Sequence, residues 1–266
     1  MTQERFDAAD GHGPALSVEN VSKSYGEVRA LGGVSLTIGR GEFVAILGRN
    51  GAGKSTLLQL LTGIFSPDAG RITVLGHDMS RNAIAALADI GVVFQQQTLD
   101  LELSVKANLL FHADLHGLSR REARRRISGL LEEYQLDGVA TARARTLSGG
   151  NRRRLELARA RLHRPRLLMM DEASAGLDPN SRRALLREMR RLVRVEGMSI
   201  LWATHLVDEI QHADRIIVLD KGYVLYSGTT AELTRREQSD DLERTIITLM
   251  GGDEGAGPLN TPNSNP

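Results

Sequence analysis

Cysteine is absent from the 266-residue sequence, and long apolar runs are absent as well. Without cysteine, the chain forms no disulfide, has no thiolate ligands for a metal and carries no cysteine nucleophile. No stretch approaches the roughly 20 apolar residues of a membrane-spanning helix, and the first residues lack the basic start and apolar run of a signal peptide. We therefore expect that the chain itself does not cross a membrane.

An excess of charge of either sign is also missing, because 34 basic residues offset 33 acidic ones and leave a net charge of +1. There is then no global attraction to nucleic acid or anionic lipid, and we expect no nucleic-acid partner. Hydrophobic residues make up 41% of the chain, which is enough for a packed core. Residues 1–14 and 251–266 have little apolar surface to offset their ordering entropy, so we expect a flexible N-terminus and a disordered C-terminal tail.

Short apolar runs alternate with helical patterns along residues 15–250, which we expect to form the folded domain. Five runs are uniformly apolar, as strands buried on both faces are: EFVAILG at 42–48, DIGVVF at 89–94, RLLMMD at 166–171, SILWATH at 199–205 and DRIIVLD at 214–220. This pattern predicts an α/β fold with a mostly parallel central sheet covered by helices.

A helical insertion is predicted at about residues 98–163, where no strand-like run occurs. Ser119, followed three residues later by Glu122, has the pattern of a capping box at the start of a helix. Apolar residues recur at helical spacing beyond that cap, namely Ala123, Ile127, Leu130, Leu131 and Tyr134. The spacing predicts that this helix buries one face and exposes its arginines on the other.

The segment GRNGAGKS at 48–55 fits the pattern G-x-x-x-x-G-K-[ST] and lies between a predicted strand and a predicted helix. In such a loop, backbone N–H groups and the helix N-terminus bind phosphate, the lysine reaches the β- and γ-phosphates, and the serine hydroxyl binds Mg²⁺. The candidate residues are Gly48, Asn50, Gly51, Gly53, Lys54, Ser55 and Thr56. The pattern predicts a nucleotide phosphate site of the kind that ATPases and GTPases share.

Two acidic residues, Asp171 and Glu172, follow a predicted buried strand. Their burial costs several kcal/mol unless a cation or hydrogen bonds compensate, so we assign Asp171 to Mg²⁺ and Glu172 to orienting and deprotonating the attacking water. Gln95 and His205 follow other apolar runs, and the carboxyl ends of parallel strands meet at the edge where ligands bind. We expect His205 to hydrogen-bond the γ-phosphate and Gln95 to sense Mg²⁺ or the attacking water.

Together these motifs resemble the nucleotide-binding subunit of ABC transporters over residues 15 to about 230. In chain order they are Tyr25 in SKSYG, GRNGAGKST, Gln95, LSGG at 147–150, LLMMDE, SAGLD at 174–178, and His205. The resemblance implies a P-loop NTPase of ABC type, in which an antiparallel β region and a helical subdomain accompany the parallel sheet.

The resemblance also implies roles for residues outside the phosphate loop. Tyr25 would stack on the adenine of ATP. Ser148, Gly149 and Gly150 would open a helix whose N-terminus faces the γ-phosphate held by a second ATPase subunit, as a small hydroxyl, close backbone approach and a helix dipole suit an anion. Asp178 would link the two sites across the dimer.

Three positions depart from the family pattern. Asn151 stands in place of the usual Gln and could alter coupling between the helical region and its partner. Ala173 and Ser174 stand in place of Pro-Thr and could loosen the loop that leads to Asp178. Neither change removes a group needed for hydrolysis, so we expect an active ATPase.

Two further groups of residues have an open interpretation. Arg152, Arg153 and Arg154 follow the LSGG motif, and we expect a solvated or intramolecularly paired face, with Glu156 as a partner. Leu99, Leu101 and Leu103 alternate with acids after Gln95 and could either contact a permease or pack within the domain.

His112 and His116 lie one helical turn apart and could grip a metal. No third ligand is evident in the sequence, so we expect surface or packing roles for both histidines.

The function that this resemblance implies is ATP hydrolysis coupled to transport. Two copies would close around two ATP and Mg²⁺ and drive export through separate membrane-spanning permease subunits, at the cytoplasmic face of the inner membrane. The sequence is most similar to the drug, polysaccharide and nodulation-factor exporter group, and FQQQTLDLELSV and LWATHLVDE resemble the ATPases associated with quinoprotein alcohol oxidation. The alternative is a soluble ABC ATPase of an assembly pathway, such as iron-sulfur cluster assembly.

Overall fold

The computed structural model describes residues 13–237 and 241–251, so the expected flexible ends lie almost entirely outside the described residues. The strands are β1 (Leu16–Tyr25), β2 (Val28–Ile38), β3 (Phe43–Leu47), β4 (Ala69–Val74), β5 (His77–Asp78), β6 (Ile90–Val93), β7 (Leu167–Asp171), β8 (Ser199–Thr204), β9 (Arg215–Asp220) and β10 (Tyr223–Gly228). The helices are α1 (Lys54–Leu61), α2 (Ala83–Ala88), α3 (Val105–Leu115), α4 (Arg120–Glu133), α5 (Gly149–Arg161), α6 (Pro179–Glu196), α7 (Val207–Ile210), α8 (Thr230–Arg236) and α9 (Leu242–Leu249). Within these ranges, none of the helices combines the length and apolar character that crossing a bilayer requires.

The central sheet has six strands in the order β10-β9-β3-β8-β7-β6. Strands β3, β6, β7, β8 and β9 run parallel, and only β10 at one edge is antiparallel. Every residue of β3, β7 and β8 is buried, as expected for strands covered on both faces. Each of the five predicted apolar runs contains one of the parallel strands, which confirms the mostly parallel sheet.

A second, antiparallel sheet has the strand order β2-β1-β4-β5. Its apolar side chains share one core with helix α1 and one face of the parallel sheet, through residues such as Leu31, Leu57 and Ile46. The antiparallel region implied by the family resemblance is therefore present and packs behind the phosphate loop.

Residues 98–163 contain helices α3, α4 and α5 and no strand within that described stretch. The stripe on α4 is buried as predicted, and it joins a core that includes α5 and the other face of the parallel sheet. The Ser119 hydroxyl caps α4 by accepting a hydrogen bond from the Glu122 amide. The Glu122 carboxylate, however, accepts from Arg125 and Arg126, where the capping-box pattern expects the Ser119 amide, so that prediction is only half right.

Helix α5 is anchored at its far end by a buried arginine. Arg161 is 8% exposed and donates to Glu133 and Tyr134 at the end of α4 and to Glu196 at the end of α6. Charge-assisted hydrogen bonds of this kind fix geometry more strongly than neutral ones. Arg161 thereby joins the three helices at one point and fixes the orientation of α5 relative to α4 and α6.

Candidate functional site

The phosphate loop owes its backbone shape to glycines that no other residue could replace without strain. Gly51 and Gly53 have φ angles of 82° and 105°, in the region that favours glycine. A Cβ atom at Gly48 would lie 2.5 Å from the Leu219 carbonyl oxygen, and one at Gly53 would lie 2.8 Å from the Ala30 carbonyl oxygen. The loop therefore connects β3 to α1 as a tight turn whose backbone is close to its neighbours.

Lys54 lies buried at the start of α1 and points back into the loop. Its Nζ donates to the Gly48 carbonyl at 2.7 Å and to the Arg49 carbonyl at 3.3 Å. The same Nζ lies 3.6 Å from Glu172 Oε1. The ammonium group thus occupies the centre of the loop, where phosphate oxygens could replace carbonyl oxygens as its acceptors.

Glu172 is the point at which the candidate catalytic residues meet. Its Oε2 accepts from Gln95 Nε2 at 3.1 Å, and its Oε1 lies 3.2 Å from His205 Nδ1. The residue has a φ of 43°, an unusual value for a side chain other than glycine, and such strain of about 1–3 kcal/mol is concentrated at functional sites. The structure therefore brings Gln95, Glu172, His205 and Lys54 together at the carboxyl edge of the sheet.

Asp171 is the other acid at this edge, and it is 8% exposed. Burial raises the pKa of its carboxyl group, the neighbouring Glu172 raises it further, and the Ser55 hydroxyl and Lys54 oppose the rise. Among the described residues, nothing hydrogen-bonds its buried Oδ1. A carboxylate oxygen in need of a partner, beside a hydroxyl group, fits a hard divalent cation such as Mg²⁺.

The remaining loop residues and Tyr25 lie at the surface around this edge. Asn50 and Gly51 are exposed, and Asn50 lines a cleft with Gly48 and His205. Thr56 is half-buried in the first turn of α1. Tyr25 ends β1 with 41% of its surface exposed and meets the ring of a neighbouring phenylalanine edge-on, at 5.8 Å between centroids, so part of its ring surface remains accessible to a base.

The signature residues, Ser148, Gly149 and Gly150 of the LSGG motif, open helix α5 at a different cleft. The Ser148 hydroxyl caps the helix by accepting from the Asn151 amide at 3.3 Å. Nothing lies within 4 Å of a Cβ atom added to Gly149, and one at Gly150 would meet Ser181 Oγ at 3.4 Å. Ser148, Gly150 and Ser181 line one cleft, whereas Gly48 and Asn50 of the same chain line another.

Asp178 caps helix α6 beside the signature residues. Its carboxylate accepts hydrogen bonds from the Asn180 and Ser181 amides and from the Ser181 hydroxyl, and these bonds lower its pKa. Ser181 also borders Gly150, so it connects Asp178 to the signature turn.

The loop that leads to Asp178 is firmly packed. Ala173 is fully buried and Ser174 is 2% exposed. The Ala175 amide donates to the Glu172 carbonyl at 2.9 Å, and the Leu177 amide donates to the Ser174 carbonyl at 3.1 Å. With Ala173 and Ser174 in place of Pro-Thr, the loop thus keeps buried side chains and two backbone hydrogen bonds.

The arginines after LSGG differ in burial, because Arg153 is buried, Arg152 is intermediate and Arg154 is exposed. Arg153 is 6% exposed, pairs with Glu156 at 2.8 Å as predicted, and donates to the Phe94 carbonyl at 3.1 Å. Arg152 donates to the Gln97 side chain at 3.2 Å.

The acidic partner on α5 extends this contact. Glu156 accepts a hydrogen bond from the Thr98 amide, and Arg159 donates to the Thr98 carbonyl. Helix α5 therefore binds the segment on both sides of Gln95. The sequence analysis did not predict this contact, although the run of arginines and the polar segment QQQT both indicated one.

The chain is similar to a known protein family and to proteins of several bacteria. A family model described as ABC transporter matches residues 31–175. The daunorubicin resistance ATP-binding protein DrrA3 of Streptomyces coeruleorubidus is 40% identical over 243 residues, which cover 91% of this chain and 76% of that protein. The Nod factor export ATP-binding protein I of Rhizobium leguminosarum bv. viciae is 39% identical over 240 residues, which cover 90% and 76% respectively.

Solved structures share the fold over most of the chain. One described as the ATP binding subunit of an ABC transporter gives a TM-score of 0.79 at 29% identity, covering 88% of this chain and 99% of that one. The protein cbiO1 from Clostridium perfringens, part of the ABC transporter complex cbiONQ, gives 0.77 at 31% identity, covering 88% and 95%. A dimeric ATP-binding cassette in a post-hydrolysis state, bound to ADP and Pi, gives 0.73 at 28% identity, covering 80% and 98%.

The burial of Asp171 predicts that its charge destabilises the nucleotide-free protein. Because its pKa is raised above the unfolded value of about 3.9, the charged form is penalised in the folded state at neutral pH. We expect Asp171→Asn to raise the melting temperature by a few degrees at about pH 7.5. The gain should shrink as the pH falls through the raised pKa and vanish below the unfolded pKa, where both states are protonated.

Thermal melts of the nucleotide-free protein across this pH range measure the effect. The matched control is Asp114→Asn on the exposed side of α3, which should leave the melting temperature unchanged. An Asp171→Asn variant that melts lower than the wild-type protein at neutral pH would show that the buried carboxylate is stabilised by its surroundings.

Proposed function

The chain belongs to the ABC transporter family as an ATP-binding subunit that hydrolyses ATP, and we propose that two copies close around two ATP molecules to drive export through a separate permease. The observation that carries this proposal is the convergence of Gln95, Lys54 and His205 on Glu172 at the carboxyl edge of the sheet. This edge is where open parallel sheets bind ligands.

In the proposed reaction, Lys54 and the loop amides hold the β- and γ-phosphates of ATP. Glu172 takes the proton of the attacking water, with Gln95 and His205 on either side of its carboxylate. Once ATP is bound, His205 would hydrogen-bond the γ-phosphate and Gln95 would contact Mg²⁺ or the attacking water. Asp171 and Ser55 would hold Mg²⁺, which when bound supplies positive charge against the phosphate oxygens. Tyr25 would stack on the adenine, since part of its ring surface is accessible at the end of β1.

The second half of each site is proposed to come from the other copy. The N-terminus of α5 presents Ser148, Gly149 and Gly150 at the surface, with open space at Gly149 for an approaching phosphate. Ser148 and Gly150 line a cleft apart from the phosphate loop of their own chain, which fits binding in trans. Asp178, joined to this turn through Ser181, would carry contact between the two sites.

We further propose that residues 15–250 form the ATPase domain and that its helical insertion, at about 98–163, faces the permease. The three candidate leucines differ in burial, because Leu99 packs in the core while Leu101 is 40% exposed and Leu103 is intermediate. Phe111 and Leu115 on α3 add exposed apolar surface to this region. Docking there would place the chain at the cytoplasmic face of the membrane.

Export is the direction proposed, because the relatives named above act in daunorubicin resistance and Nod factor export. The permease would select the substrate. The narrower resemblance to ATPases associated with quinoprotein alcohol oxidation stays a prediction. The effect of Asn151 on coupling between the helical region and its partner stays a prediction as well.

Replacing Glu172 tests the assignment of the base. We expect Glu172→Gln to lower ATP turnover by at least about a hundredfold, because an amide cannot accept the proton of the attacking water. ATP binding should persist, so dimers should accumulate with ATP bound, as measured by size-exclusion chromatography of the variant. The exposed Glu132→Gln is the matched control, and turnover near the wild-type level in Glu172→Gln would remove Glu172 from this role.

Mixing two inactive variants tests whether each site is shared between copies. Lys54→Ala and Ser148→Arg should each be inactive alone. If the sites form in trans, about half of the dimers in an equal mixture are mixed, and each mixed dimer has one intact site and one doubly damaged site. We expect recovery to roughly a quarter of wild-type turnover. Mixed dimers that are demonstrated by two different tags and yet stay inactive would contradict shared sites.

Purification from gently solubilised membranes of the native cell tests the transport assignment. We expect a multi-spanning membrane protein at stoichiometric ratio with the tagged chain, identified by mass spectrometry. Replacing exposed Phe111 and Leu115 by Ser should weaken its recovery, whereas Val195→Ser, an equally exposed apolar position on α6, should not. Recovery of soluble partners alone, from an extract with intact membrane complexes, would support the assembly-pathway alternative.

A further inference from the structure

Three histidines meet on the side of the helical insertion that faces the parallel sheet. His112 lies on the last turn of α3, His116 follows the end of that helix four residues later, and His163 follows the end of α5. Within the described ranges, each ring offers one nitrogen, and these nitrogens all lie within 4.8 Å of one another. His163 supplies the third ligand that the sequence does not reveal, because it is distant along the chain and belongs to no motif.

The hydrogen bonding of His163 leaves one ring nitrogen available. Its Nε2 lies 2.9 Å from the Ile90 carbonyl oxygen, which can only accept, so Nε2 carries the hydrogen and Nδ1 carries a lone pair. That Nδ1 is buried and has no hydrogen-bond partner in the described part of the chain. Histidines that bind metals usually donate their other ring N–H to a backbone carbonyl or a carboxylate in this way.

The surroundings keep the three imidazoles neutral. Burial lowers the pKa of His112 to about 3 and that of His163 to about 4, and it lowers the pKa of His116 as well. The neighbouring charged groups already have partners, since Arg159 donates to Thr98 and Asp89 pairs with Arg166. A metal binds the neutral imidazole, and the free Nδ1 of His163 already provides one such nitrogen.

We propose that His112, His116 and His163 form a binding site for a divalent transition-metal ion, with Zn²⁺ as the best fit. Imidazole nitrogens suit Zn²⁺, and three histidines with one open position are an established ligand set for it. The open position faces a cleft of about 360 Å³ that the three rings line together with Arg159 and Phe94. This site is separate from the carboxyl edge of the sheet, where Lys54 and Glu172 lie, and its metal binding does not depend on ATP.

Binding requires a modest rearrangement of one ring. His116 and His163 stack at 3.9 Å with an angle of 5° between their planes, and an imidazole binds a metal within its own ring plane. His116 must therefore turn out of the stack, which its exposed position immediately after α3 allows. Tetrahedral Zn²⁺ holds its nitrogens about 3.3 Å apart, so the ring nitrogens also draw together.

The metal would connect three elements that otherwise touch through side-chain packing. It would join α3 to the end of α5, and through the bond from His163 to Ile90 it would join both to β6. Strand β6 leads directly to Gln95. An ion at this position would therefore fix the helical insertion against the strand that carries the glutamine.

Zinc titration of the tag-free, full-length protein without nucleotide tests this site. We expect one Zn²⁺ per chain by competition with a chromophoric chelator, together with a higher melting temperature in zinc, since a ligand that binds only the folded state stabilises it. His163→Ala and His112→Ala should each weaken binding by more than about 100-fold, beyond the loss typical of an outer-shell partner. His77→Gln, on β5 of the antiparallel sheet, is the matched histidine control.

A second control separates this site from the phosphate edge, where His205 and Glu172 could also attract Zn²⁺ in the absence of nucleotide. His205→Ala should bind Zn²⁺ with the wild-type affinity. Co²⁺ bound in place of Zn²⁺ should give the strong visible absorption of a four-coordinate complex in the wild-type protein and lose it in His163→Ala. The proposal is overturned if the tag-free chain binds no Zn²⁺, or if His163→Ala binds it as tightly as the wild-type chain.

Discussion

The burial of two adjacent carboxyl groups at the end of β7 is the constraint on which the nucleotide-binding edge depends. Asp171 ends a strand in which every residue is buried, and the side chain of Glu172, the next residue, is only 12% exposed. Neighbouring elements must therefore offset the free energy lost when these carboxylates leave water. Helix α1 supplies Lys54, β6 leads to Gln95 and β8 leads to His205, and all three converge on Glu172. Parallel order is what permits this, because only strands running the same way end at the same edge.

Helix α5 connects this edge to the rest of the molecule. Its first turn carries the signature glycines, its middle binds the segment around Gln95 through Arg153 and Glu156, and its last turn is anchored by Arg161. Thirteen residues of helix span about 20 Å, so one rigid element touches all three regions. The same helix therefore connects the LSGG turn with the segment that carries Gln95.

The sequence predicted whatever local pattern determines. Uniformly apolar runs predicted the parallel strands, and the phosphate-loop and acidic motifs predicted which side chains meet at their carboxyl edge, because each motif is recognisable within a few residues. The burial of Arg153 and the meeting of His163 with His112 depend on contacts between segments far apart in the chain. Helical periodicity does not indicate which distant carbonyl a buried arginine will bind, as Arg153 binds that of Phe94. It also does not predict that the Glu122 carboxylate binds Arg125 and Arg126 instead of the Ser119 amide.

The single tryptophan of the chain lies on β8, the strand that leads to His205. Trp202 is 1% exposed, its indole N–H donates to the buried Glu209 carboxylate at 3.1 Å, and β8 ends two residues later, immediately before His205. Thr204 donates to the same carboxylate, so the strand end and the indole share one acceptor. The molecule thus contains its own fluorophore, whose emission would report a shift of the loop that begins at His205 without any attached dye.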